Sequence, residues 1–140
     1  MLDVSPLEKA IGQLKESLDY AHSPLAQRDA GVARQFRASS IQAFEFTYEL
    51  CHKMLKRYLQ ATDPNPDRIE TLSFQDLIRT GADRGLLLHS WDVWHTYRHY
   101  RSLTSHTYDE TKADKVFDHI KNFLEDAVFL LQQLNTRLSA

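Results

Sequence analysis

The strongest chemical signal in the chain lies between Asp92 and Asp109, an interval without a single acidic residue. It holds His95, Arg98, His99, Arg101 and His106, interleaved with Trp94, Tyr97, Tyr100 and Tyr108. Cationic groups alternating with aromatic rings bind phosphates and stack bases. The other reading of this composition is a solvated helix face whose rings belong to the core. Spacing bears on the choice. Residues five apart on a continuous helix point about 140° away from each other, so Arg101 and His106 diverge unless the helix stops between them. The run Thr104-Ser105-His106-Thr107 predicts a stop near Leu103, because these side chains compete for backbone groups and favour caps and turns. An imidazole at a helix end, beside a guanidinium, is a proton-transfer group next to a fixed cation.

Two other chemistries are weaker. His95 and His99 are four apart and share a helix face, and His89 or His106 could add a third metal ligand. No carboxylate or cysteine joins that cluster, so the expectation is no metal. The single cysteine, Cys51, sits among Leu50, Met54 and Leu55, the surroundings of a buried thiol rather than of a nucleophile.

The elements that must position these groups are helical. Ser5-Pro6-Leu7-Glu8 predicts a helix start with Ser5 as N-cap, followed by the stripe Leu7, Ala10, Ile11, Leu14 and Leu18, and His22-Ser23-Pro24 ends it. A long second helix is expected from about Asp29 to Leu59. Phe36, Ser40, Phe44, Tyr48, Cys51 and Leu55 lie on one face, flanked by Phe46, Leu50 and Met54. The prolines of Thr62-Asp63-Pro64-Asn65-Pro66-Asp67 break the chain. Ser73 caps a short third helix that Gly81 should close, and a fourth runs from about Gly85 to Leu103. A fifth begins near Asp109 to Thr111 and carries Ala113, Val116, Ile120, Phe123, Ala127, Leu130 and Leu134 to the C-terminus. No segment alternates with period two. The expected fold is all-α, an antiparallel up-down bundle of about five helices in a single domain, residues 1–140.

Composition narrows the function. A chain of 140 residues with 42% hydrophobic and 26% charged residues has enough apolar surface for a core. The net charge of −2 excludes indiscriminate nucleic-acid binding, so any such contact must be local. One cysteine excludes an internal disulfide and fits a reducing compartment. The start Met1-Leu2-Asp3-Val4 has neither the basic residues nor the apolar core of a signal peptide, and no apolar run approaches a membrane span. A cytoplasmic location, with no membrane association, is the expectation.

The segment Arg101-Ser102-Leu103-Thr104-Ser105-His106-Thr107-Tyr108 matches the R-x4-H-x-Y signature of HEPN proteins encoded beside minimal nucleotidyltransferases. Phe44-Glu45-Phe46-Thr47-Tyr48-Glu49, with Lys53-Met54-Leu55-Lys56, resembles the long second helix of that family, also called nucleotidyltransferase substrate-binding proteins. The resemblance extends over essentially the whole chain. Two positions depart from it. Ser102 stands where relatives carry asparagine, and its shorter side chain lacks the amide. His52 stands where relatives tend to have tryptophan.

The resemblance implies a metal-independent RNA endonuclease, with no cofactor, whose two protomers bring their motifs together in a homodimer. It also implies a partner nucleotidyltransferase that silences the site by adenylylating the motif tyrosine, the two proteins forming a toxin–antitoxin pair. Carried onto this chain, Arg101 and His106 are the expected catalytic residues, Tyr108 the modified one, and Ser102 and Arg98 supporting groups. The chemistry is consistent. RNA supplies its own nucleophile, the 2′-hydroxyl, so cleavage needs a base and a charge stabiliser. Histidine exchanges protons near neutral pH, and an arginine grips phosphate through two parallel hydrogen bonds. The alternative is a non-catalytic subunit that presents substrate to the nucleotidyltransferase.

Overall fold

The structure is a computed structural model that describes residues 2–139. Helix α1 spans Ser5–Ala21 and buries Leu7, Ala10, Ile11, Leu14 and Leu18, the stripe its spacing predicts. Its cap differs from expectation. Val4 holds the N-cap position, and the Ser5 amide donates to the Asp3 carboxylate at 2.9 Å. An aspartate two residues upstream reaches that amide and leaves Ser5 inside the first turn.

Ser23 caps a one-turn helix, α2 (Pro24–Arg28), its hydroxyl accepting from the Ala26 amide. Asp29 then caps α3 (Ala30–Thr62) by accepting from the Gly31 and Val32 amides. Helix α3 runs three residues past the expected Leu59 and ends at Asp63, ahead of Pro64. A second one-turn helix, α4 (Pro66–Glu70), follows. The Asp63 carboxylate secures this corner, accepting from Arg84 and from Arg68 at 3.0 Å and from the Asn65 amide at 2.8 Å. The Arg84 hydrogen bond, first among these contacts, holds its pKa down at about 2.

Helix α5 spans Phe74–Asp83 with Ser73 as its cap, the hydroxyl accepting from the Asp76 amide at 3.1 Å. Gly81 does not close this helix. It lies buried inside it, where a Cβ would stand 3.0 Å from Leu55 and 3.2 Å from Leu87. The terminating glycine is Gly85, at φ 76°. Around it the Leu86 amide donates to the Gly81 carbonyl at 2.9 Å and the Gly85 amide to the Ala82 carbonyl at 3.0 Å, the paired bonds of a left-handed helix stop. Helix α6 therefore starts later than expected, at Trp91, and ends at Leu103. The linker before it plugs Leu86 and Leu87 into the core.

A 3-10 turn, Thr104–His106, follows α6 directly. Asp109 then caps α7 (Glu110–Leu138), its carboxylate accepting from the Thr111 and Lys112 amides. The five helices legible in the sequence are thus α1, α3, α5, α6 and α7, with α2 and α4 folded into the breaks. No strand occurs among the described residues. Among the described residues no helix is long and apolar enough to cross a membrane.

Helix α3 is the axis of the bundle: α1 and α7 pack along it, and α6 packs chiefly on α7. Phe44 meets Phe123 edge-to-face at 4.9 Å, and Trp94 and Tyr97 of α6 close on Phe123 at 6.0 and 5.3 Å. The same helices share a buried polar contact. Asp126 of α7, 1% exposed, accepts from the Tyr97 hydroxyl and from His89 Nδ1, the latter at 2.9 Å. This contact and the aromatic cluster fix α6, the helix that carries Arg98 and Arg101, against the core.

Candidate functional site

Helix α6 stops at Leu103, where the Thr-Ser-His-Thr run predicted a stop, and the tighter 3-10 turn takes over. Arg101 therefore lies in the last helical turn and His106 at the end of the 3-10 turn. The Thr104 hydroxyl ties the junction together. It donates to the Arg101 carbonyl at 2.8 Å and accepts from Arg101 Nη1 at 3.2 Å. Thr107 continues the pattern by donating to the Thr104 carbonyl at 3.2 Å.

The Arg101 guanidinium is not free. Its Nε donates to Glu49 Oε1 at 2.9 Å, and its Nη2 stands 3.6 Å from Glu45 Oε1. Both carboxylates come from α3, one turn apart and on one face. They supply negative charge to a strip whose own sequence has none. Sequence reading missed this role because it depends on a contact across 52 residues. The only local signal was the i, i+4 spacing of the two glutamates.

The supporting residues divide. Arg98 lays its guanidinium over the Phe74 ring, 5.5 Å from the centroid. Ser102 turns back on its own helix and donates to the His99 carbonyl, so its hydroxyl braces α6 rather than the guanidinium. Tyr48, Glu49, His52, Phe74, Arg98, Arg101 and Ser102 together line a cleft of about 280 Å³ between α3 and α6. His52 packs edge-on against Phe74 at 4.7 Å, and burial lowers its pKa. A larger groove of about 670 Å³ runs between α1 and α3, but Gln13, Ser17, Tyr20 and Phe36 line it and none of the motif residues does.

His106 and Tyr108 stand outside the cleft lining, exposed on the turn beyond it. Their rings lie 6.1 Å apart at 69°. Tyr108 is 84% exposed. The histidine metal cluster does not assemble: His89 is taken by Asp126, and His95 Nδ1 bonds the Trp91 carbonyl at 2.9 Å. Among the described residues no group of three His, Cys, Asp or Glu side chains comes together to hold a metal ion. Cys51 is buried, as its neighbours predicted. Burial first, and the Asp126 charge second, raise its pKa far above the thiol range, so it is no nucleophile.

Similarity to known proteins defines its kinship. A Haemophilus influenzae protein named probable ribonuclease HepT is 38% identical over 131 residues, covering 94% of this chain and 86% of the relative. A Haemophilus influenzae structure described as the fold of a substrate binding domain of a nucleotidyltransferase superposes with a TM-score of 0.88 at 36% identity. That match covers 95% of this chain and 99% of the other. A Thermus thermophilus crystal structure matches with a TM-score of 0.67 at 29% identity, over 91% and 98% of the two chains. Residues 2–136 match the family described as nucleotidyltransferase substrate binding protein like, and this chain belongs to that family.

Proposed function

We propose that the protein is the ribonuclease half of a toxin–antitoxin pair, cutting RNA without a metal through Arg101 and His106. One observation carries this reading: a guanidinium held in place and an exposed imidazole occupy the two sides of a single helix end, beside a basic and aromatic cleft. In the proposed reaction the RNA 2′-hydroxyl attacks the adjacent phosphorus and the 5′-oxygen departs. His106 handles the proton, and Arg101 stabilises charge growing on the phosphoryl oxygens. Each chain supplies one such pair, so a two-fold dimer that faces the two motifs together provides both a base and an acid. The relative named probable ribonuclease HepT supports the activity.

Tyr108 is the proposed point of control. An adenylyl group on this exposed phenol places a phosphodiester charge and a nucleoside where substrate phosphate must approach. A partner nucleotidyltransferase is the expected source, in keeping with the family.

A second reading has its own support. The solved Haemophilus influenzae relative is described as a substrate binding domain, and two carboxylates already engage Arg101. On that reading the cleft holds a substrate for the nucleotidyltransferase without cutting it. Incubating purified protein with RNA in excess chelator separates the two. Cleavage by the native protein, lost in Arg101→Ala and in His106→Ala, supports the nuclease. RNA left intact by all three proteins supports the binding subunit.

A further inference from the structure

We infer that Glu49 is a positioning residue for Arg101, aiming its guanidinium while Glu45 partly offsets its charge. The inference rests on the reading of Arg101 given above and assigns roles to two residues outside the R-x4-H-x-Y segment. A guanidinium on a flexible stem samples many orientations, and bidentate grip on phosphate requires one of them. Three contacts select it here. Glu49 takes Nε at 2.9 Å, the Thr104 hydroxyl takes Nη1 at 3.2 Å, and Glu45 lies 3.6 Å from Nη2, close enough to attract but too far to bond. The Nε edge is thereby turned to α3, leaving the Nη2 hydrogens and one of Nη1 for a phosphate.

Both glutamates are partly exposed, at 42% and 53% of the side chain, and Arg101 is 31% exposed. The clamp therefore sits at the edge of the cleft, where incoming RNA meets it. Its two effects oppose each other. The Glu49 bond aligns the guanidinium and speeds the chemical step, while the paired negative charges repel the RNA backbone and weaken binding. Glu49→Gln separates them, because an amide oxygen still accepts from Nε but carries no charge.

The test is steady-state RNA cleavage, with Arg101→Ala as reference and thermal melting as a check of fold. Glu49→Ala is expected to lower kcat on the order of tenfold to a hundredfold, the range for a misaligned group. Glu49→Gln is expected to recover most of kcat and to lower KM severalfold at low salt. Native kcat in Glu49→Ala overturns the inference if Arg101→Ala is dead. Equal loss of kcat in both Glu49 variants also overturns it, since the carboxylate would then act through its charge. If Arg101→Ala cuts normally, the catalytic role of Arg101 itself fails, and the clamp has nothing to aim. A measurement independent of cutting uses the arginine Nε–H region of the proton–nitrogen NMR spectrum. An Arg101 signal, assigned by its absence in Arg101→Lys, should exchange slowly with water in the native protein and in Glu49→Gln. It should exchange fast in Glu49→Ala. Fast exchange in the native protein overturns the inference whatever the activity.

Discussion

Tyr97→Phe isolates one hydrogen bond in the packing that holds the motif helix. The Tyr97 ring is 3% exposed and meets Trp94 at 5.2 Å and Phe123 at 5.3 Å, both edge-on. Phenylalanine keeps those contacts and opens no cavity, so the change removes only the hydroxyl donated to Asp126. That carboxylate is 1% exposed and would retain His89 alone as its side-chain partner. A hydrogen bond to a buried charged acceptor contributes about 1.5–3 kcal/mol. For a chain of this size the loss corresponds to a fall in Tm of about 5–12 °C. His89→Ala should cost less, about 0.5–1.5 kcal/mol, because its side chain is 44% exposed and water can replace it. The assay is urea unfolding followed by tryptophan fluorescence and by far-ultraviolet circular dichroism, with coincident transitions required. A Tyr97→Phe effect below about 0.5 kcal/mol, or one smaller than that of His89→Ala, would refute the argument that Asp126 depends on the phenol.

Three further outcomes are expected. Burial pushes the Tyr48 phenol up to about 12 and raises Tyr97 and Cys51 further, so the folded state holds these protons more tightly than the unfolded chain. Their contribution is complete below the ordinary thiol value near 9, begins to be lost above it for Cys51 and above the phenol value near 10 for the tyrosines, and for Tyr48 is lost as pH rises through about 12. Tm should therefore fall across that interval, and a flat profile would contradict the burial. Tyr108→Phe removes the acceptor for adenylylation but keeps the ring, so mass spectrometry should find adenylyl mass on native protein incubated with the nucleotidyltransferase, ATP and magnesium, and none on the variant; modification persisting in the variant would assign another acceptor. Light scattering at micromolar concentration should report a two-fold homodimer, and a monomer would remove the shared site from the mechanism.

Local rules make much of this protein readable from its residues alone. The stripes of α1 and α7 come from 3.6-residue spacing, Ser73 and Asp109 from the chemistry of caps, and the stop at Leu103 from four residues that favour turns over helix. These are short-range effects, settled within a turn or two of the backbone, so the sequence carries them openly. It also carries the residue types and spacing of Arg101, His106 and Tyr108, since they lie within eight residues of one another at one helix end. What tertiary structure alone decided involves groups far apart in the chain. Gly81 was the expected helix stop and Gly85 is the actual one, a choice made by packing: Leu55 and Leu87 leave no room at Gly81, and Gly85 takes the positive φ. Helix α6 begins at Trp91 because Leu86 and Leu87 are drawn into the core before it. Asp126 looks like any surface carboxylate of an amphipathic helix until Tyr97 and His89 arrive from another part of the chain. The acid-free strip around Arg101 becomes an ion-paired site only when α3 lays Glu45 and Glu49 beside it. Charge acts through space and not along the chain, so the electrostatics of this site belong to the fold.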